Sequence, residues 1–148
     1  MKISARIHTT GIAPIITLVL IIVFFISCRP APVSQQEAEP NAALAVYFFH
    51  LTERCEVCKA IEETSARILD KDYISQLKNG IIKFKSVNIE NRKNRGLTDK
   101  YKISYTSLLL VRADGTVTDF TNTALNYAYL NPSKFEELLK AEIDKNLK

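Results

Sequence analysis

Cys55 and Cys58 are separated by Glu56 and Val57, and this spacing carries the clearest chemistry in the chain. The ionised thiolate is the reactive form of cysteine. Residues three apart on a helix share a face, so a second sulfur can reach back and displace whatever the first has attacked. Such a pair can exchange a disulfide with a partner and end joined to itself. A helix N-terminus eases ionisation of the first thiol through its unpaired backbone N–H groups and its dipole. Arg54 and Lys59 are expected to add to that effect and Glu56 to oppose it, which predicts a moderately lowered pKa for Cys55. Cys55, nearer the N-terminus and more exposed, is the expected nucleophile. Cys58, one turn inward, is the expected resolving residue.

Two other uses of the pair stay open. One is a static structural disulfide. The other is metal binding. A closed zinc site needs four ligands, and outside the N-terminal segment only Cys55, Cys58 and His50 are of the soft or imidazole type. No metal site of that kind and no cofactor is expected, although a two-thiolate copper(I) carrier is chemically coherent.

The elements that would position the pair read as follows. Ala42–Leu51 is apolar, β-branched and aromatic, without internal Gly or Pro, and predicts a buried central strand. Leu51–Arg54 is the turn out of it, with Thr52 as a candidate N-cap that would put Cys55 in the first helical turn. Val57, Ile61, Thr64, Ile68 and Leu69 recur at helical spacing through about Asp70. A shorter helical piece, Asp72–Lys78, ends at Asn79-Gly80. Ile81–Ile89 predicts a second strand, with an irregularity between Phe84 and Val87. Glu90–Lys102 predicts a polar helix whose Arg92, Lys93, Arg95, Lys100 and Lys102 read as a solvated face. Ser107–Arg112 is an apolar strand, Ala113–Thr116 a turn with the Asp-Gly signal, and Thr116–Thr121 its partner strand. Asn122–Leu130 is less readable, with Tyr127 and Tyr129 either lining a groove or simply packing. A last helix opens at Asn131-Pro132, with Ser133 and Glu136 as a capping box and Phe135, Leu138, Leu139 and Ile143 as its buried stripe.

The N-terminal residues have a different character. Lys2 and Arg6 precede Ile12–Ile26, which is apolar apart from Thr17 and shorter, at about 15 residues, than the roughly 20 of a comfortable membrane span. This is the layout of an export signal. It ends in Phe25-Ile26-Ser27-Cys28, which resembles a bacterial lipobox, so residues 1–28 are expected to be a signal with Cys28 lipidated. An uncleaved anchor and simple secretion are the alternatives. Residues 29–41, with Pro30, Pro32 and Pro40, read as a flexible linker. All three layouts put the domain, residues 42–148, outside the cytoplasm, attached in the first two to the membrane through the N-terminus.

Composition agrees with one domain plus appendages. Of 148 residues, 47% are hydrophobic, enough for a core. The formal charge of +4 falls to about +2 without Lys2 and Arg6, and no phosphate or base-stacking motif is present, so nucleic acid is not an expected partner.

The strand–Cys-x-x-Cys–helix order resembles the thioredoxin superfamily. Val87-Asn88-Ile89-Glu90 is similar to its strand after the active-site helix. Tyr101-Lys102-Ile103, Leu108–Val111 and Asp114-Gly115 are similar to the segment running through its next strand and hairpin. The resemblance covers about residues 45–147. Tyr47–His50 followed by Arg-Cys-x-x-Cys-Lys-x-Ile-Glu is similar to small exported bacterial thioredoxin-like proteins named as nitroreductase-associated subunits. The resemblance implies an α/β fold with a mixed sheet of about four strands flanked by helices. It also implies a substrate loop facing the cysteines near Tyr105, Thr106 and Ser107.

Three features differ from that pattern: Arg54 stands for the usual Trp, Glu-Val for Gly-Pro, and no proline occurs near Thr106. A cis bond without proline costs roughly 3–4 kcal/mol, so the Tyr105–Thr106 bond is expected to be trans or the loop otherwise reshaped. Some thioredoxins carry a proton-accepting Asp six residues before the first cysteine. Phe49 is there, which leaves that role empty or passes it to His50. The expected function is a membrane-tethered, extracytoplasmic thiol–disulfide oxidoreductase acting on protein thiols and recycled by a separate redox partner. The alternative is a non-enzymatic binding or metal-carrier subunit.

Overall fold

Leu44–His50 forms β1, the strand on which the sheet is built, in a computed structural model that describes residues 42–148. The export signal, Cys28 and the 29–41 linker lie outside the described residues. β1 is a nearly unbroken apolar run because both its faces are covered, and every residue except Ala45 is buried. Side chains alternate across a strand. Leu44, Val46 and Phe48 therefore enter one core, while Tyr47 and Phe49 enter a second on the opposite face.

From β1 the chain passes into α1 (Glu56–Asp72) and a short α2 (Ile74–Lys78), then returns as β2 (Ile82–Asn88). β2 pairs parallel to β1 from Leu44↔Ile82 to His50↔Asn88. The expected irregularity in β2 is absent from this continuous register. Ile82 and Phe84 belong to the first core and Val87 to the second simply because their positions differ in parity.

A single 3-10 turn (Arg92–Asn94) leads into α3 (Arg95–Tyr101), which closes on Lys102 in the left-handed conformation at φ 54°. β3 (Ser107–Arg112) then runs antiparallel to β1, and β4 (Val117–Asp119) antiparallel to β3. Gly115, at φ 86°, makes the turn between them, and Asp114 Oδ1 accepts from the Thr116 N–H at 2.9 Å. The strand order is β2-β1-β3-β4.

β4 is shorter than expected. Its chain turns at Phe120, which enters the first core, and the Leu108 N–H bonds to the Thr121 hydroxyl at 3.0 Å. The less readable residues form α4 (Thr121–Tyr127), held by the small buried side chains Thr121 and Ala124, with Ala128 buried just beyond. α5 (Pro132–Asn146) buries Phe135, Leu139 and Ile143. Its N-cap is Asn131, whose side chain accepts from the Lys134 N–H at 3.1 Å, so the expected Ser133–Glu136 box is displaced by two residues. Pro132 is the first helical residue, where its missing N–H costs nothing.

α1, α4 and α5 pack on one face of the sheet; α3 supplies Leu97 and Tyr101 to the other. This four-stranded mixed sheet flanked by helices is a thioredoxin-like fold. Among the described residues, no helix is long and apolar enough to cross a membrane.

Candidate active site

The C-terminal end of β1 delivers the chain to an exposed loop, residues 51–54, and the loop delivers it to Cys55. The loop is fastened to the end of β2. The Thr52 N–H donates to Glu90 Oε2 at 2.8 Å, and Asn88 Nδ2 donates to the Thr52 hydroxyl at 3.0 Å. Asn88 Oδ1 in turn accepts from the Glu90 N–H at 2.9 Å. Hydrogen bonding from Thr52, by its side chain first and its N–H second, holds the Glu90 carboxyl below its ordinary pKa. Thr52 is thus an anchor of the loop, and the helix begins later than expected: Cys55 itself is the N-cap of α1, with extended backbone at φ −76° and ψ 169°.

That position sets the acidity of the two thiols apart. Cys55 is exposed and Cys58 buried, with their sulfurs 3.3 Å apart. The Cys55 sulfur makes no side-chain capping hydrogen bond, yet the backbone N–H of Cys58, first of all, and the Cys58 thiol favour its charged form. Its pKa is lowered from the ordinary thiol value, while burial pushes Cys58 up. The expected help from flanking cations does not materialise. Arg54 is paired with Glu62, and Lys59 Nζ lies 2.9 Å from Glu56 Oε1. Both charges are spent on carboxylates.

His50, the candidate proton carrier, is buried on the β1 face that α1 covers. Its Nδ1 lies 2.8 Å from the Leu51 carbonyl oxygen, which can only accept, so Nδ1 carries a proton. Its ring stacks on Phe48 at 5.7 Å, and neither cysteine sulfur is among its hydrogen-bond partners. Phe49 is in the second core with Tyr47 and Tyr101, on the sheet face opposite Cys58. The position six residues before Cys55 therefore does not face the pair.

The three candidate loop residues separate. The Tyr105–Thr106 bond is trans, as expected. Tyr105 is exposed, and Ser107 is buried with its hydroxyl donating to the Tyr105 carbonyl at 3.1 Å. Both line a cleft of about 330 Å³ with Leu109 of the second core, away from the sulfurs. Thr106 alone reaches the pair: its Oγ1 is 3.6 Å from Cys58 Sγ. Sequence reasoning missed the Thr52–Asn88–Glu90 fastening, which joins residues 36 to 38 positions apart and leaves no local signature; of the loop expected to face the cysteines, Thr106 is the residue that meets them. Among the described residues, no group of three or more His, Cys, Asp or Glu is placed to hold a metal ion.

No family model matches the chain, and no curated protein matches it. Solved structures with a similar outline include Trxlp from Edwardsiella tarda EIB202, at 15% identity and a TM-score of 0.47, covering 74% of this chain and 94% of that one. A malarial protein is similar at 18% identity and a TM-score of 0.38, over 61% of this chain and 99% of its own. The zinc-bound form of human ERp44 is similar at 20% identity and a TM-score of 0.40, over 60% of this chain and 26% of that one. None of the three carries the nitroreductase-associated name. This chain's own strand order, β2-β1-β3-β4, and its helix placement are those of a thioredoxin-like fold.

Proposed function

We propose that this protein is a thiol–disulfide oxidoreductase that acts on protein partners through Cys55 and Cys58. The observation that carries the reading is the difference between the two thiols: one exposed and acidified at a helix N-cap, the other buried 3.3 Å away. In the reducing direction, the Cys55 thiolate attacks one sulfur of a partner disulfide. A Cys55–partner S–S bond forms, and the partner's second sulfur leaves with the electron pair and takes a proton from solvent. Cys58 then loses its proton to solvent and attacks Cys55 Sγ. The Cys55–Cys58 bond forms and the partner's first sulfur leaves as thiolate. The partner is reduced by two electrons and the pair is oxidised by two; the reverse sequence oxidises a dithiol. A separate dithiol or disulfide protein must return the pair to its starting state.

The N-terminal signal, the lipobox-like Cys28 and the linker support a place outside the cytoplasm, on a membrane tether, as in the small exported proteins this chain resembles. Cys58→Ser tests the reaction directly. It should trap partners as mixed disulfides through Cys55, visible as reductant-sensitive adducts that vanish in the Cys55→Ser, Cys58→Ser double variant. An absence of adducts, with a pair that does not cycle under mild reductant, would overturn the reading. Replacing Cys28 should release the protein from membranes.

A further inference from the structure

Cys58 must act as a nucleophile although it is buried, and burial disfavours the thiolate that the second half-reaction needs. Among the described residues, the polar side-chain atom in contact with it beyond the sulfur of Cys55 is the Thr106 hydroxyl, at 3.6 Å and half-buried. This residue precedes β3 across the sheet end from α1, 48 positions along the chain. Its placement is enforced on both sides. Ser107 is buried and bonded back to the Tyr105 carbonyl, and the Leu108 N–H is held by Thr121. A threonine here supplies what an aliphatic or a proline side chain could not, an O–H that can point at the sulfur.

The geometry points to Thr106 as a catalytic residue of the resolving step: its hydroxyl donates a hydrogen bond to Cys58 Sγ and stabilises the thiolate as it attacks the mixed disulfide. The inference rests on the exchange reading above and deepens it. The hydroxyl neither gains nor loses a proton overall. The Cys58 proton goes to solvent, the Cys55–Cys58 bond forms, and the electron pair departs on the partner's sulfur. Thr106 has no role in the first attack, because its contact is with Cys58.

The test uses the reduced full-length protein and an aromatic disulfide whose thiolate is coloured. The first attack by Cys55 releases one coloured thiolate and resolution by Cys58 releases a second, so the two steps appear as separate phases. Thr106→Val removes the hydroxyl at nearly constant shape. It should slow the second phase by about tenfold or more, the worth of one hydrogen bond to a charged sulfur. It should also move the pH midpoint of that phase upward and leave the first phase unchanged. Thr106→Ser should restore both rate and midpoint. Thr106→Ala, with a thermal melt for each variant, serves if the valine protein folds poorly. An unchanged second phase in the hydroxyl-less variants, or equal slowing of both phases, overturns the role of Thr106. A wild-type protein that releases only one thiolate overturns the exchange reading itself, independently of Thr106.

Discussion

The Glu90 carboxylate accepts a hydrogen bond from the Thr52 N–H at 2.8 Å across 38 positions of chain. It ties the loop that presents Cys55 to the end of β2. Glu90→Ala should let that loop fray. Cys55 would then lose its placement over the first turn of α1, and its alkylation at neutral pH should slow severalfold. Glu90→Gln, which keeps an accepting oxygen, should retain most of the wild-type rate. The carboxyl's pKa is lowered by folding, so its contribution is complete above the ordinary carboxylate value and is lost only as pH falls through the lowered one. Amide exchange of Thr52, followed from neutral to acid pH, reads this directly. Protection that is unchanged in Glu90→Ala would sink the assignment.

The thiols should titrate on opposite sides of an ordinary cysteine. In Cys58→Ser, the backbone N–H that most acidifies Cys55 is still present, so the alkylation midpoint of Cys55 should remain below the ordinary value. In Cys55→Ser, Cys58 should react slowly, with a midpoint above it, because burial opposes its ionisation. Iodoacetamide rates across pH give both values. A Cys55 midpoint at or above that of a free thiol contradicts the description of the site.

The cap of α5 provides a control on the fold that leaves the site alone. Asn131→Ala removes the side chain that accepts from Lys134 and should cost about 1 kcal/mol, measured by the denaturant midpoint. Ser133→Ala should move that midpoint by less than about 0.5 kcal/mol, as expected of an exposed residue outside any cap.

Tyr73 links α1 to α5. Its hydroxyl donates to Asp144 Oδ1 at 2.7 Å and lies 3.2 Å from the Lys140 carbonyl oxygen. Tyr73→Phe should cost about 1 kcal/mol. Burial and the Asp144 carboxylate push the phenol pKa up. The hydroxyl's contribution is therefore complete below the ordinary phenol value and is lost as pH rises through the raised one. The stability difference between wild type and Tyr73→Phe should be constant through neutral pH and shrink only in strong alkali.

The sheet was legible because its strands obey simple rules. Ser107–Arg112 has the predicted ends, and the β1 run reads as central because both faces are apolar. α4 was not legible, since its buried positions are Thr and Ala, which carry almost no periodic hydrophobic signal. Val87 suggested an irregularity because the two faces of β2 feed two different cores, and sequence alone does not reveal a second core. At the site, the cysteines and the helix N-terminus that acidifies the first of them are legible, but the flanking charges mislead. Arg54 and Lys59 look like activators until their carboxylate partners are seen. Glu90 meets Thr52 across the fold with no local pattern to mark it, whereas the loop of Thr106 is legible only through the resemblance that sets it opposite the cysteines.

The chain enters the domain where the Ala43 carbonyl accepts from the Ala113 N–H, beside the β3–β4 turn, and reaches Cys55 only after traversing β1. Seven residues of strand span about 20 Å. Residue 42 and the thiols therefore stand at opposite ends of β1, and the edge that carries the thiols is the end of the sheet where β1, the 51–54 loop and the first turn of α1 meet.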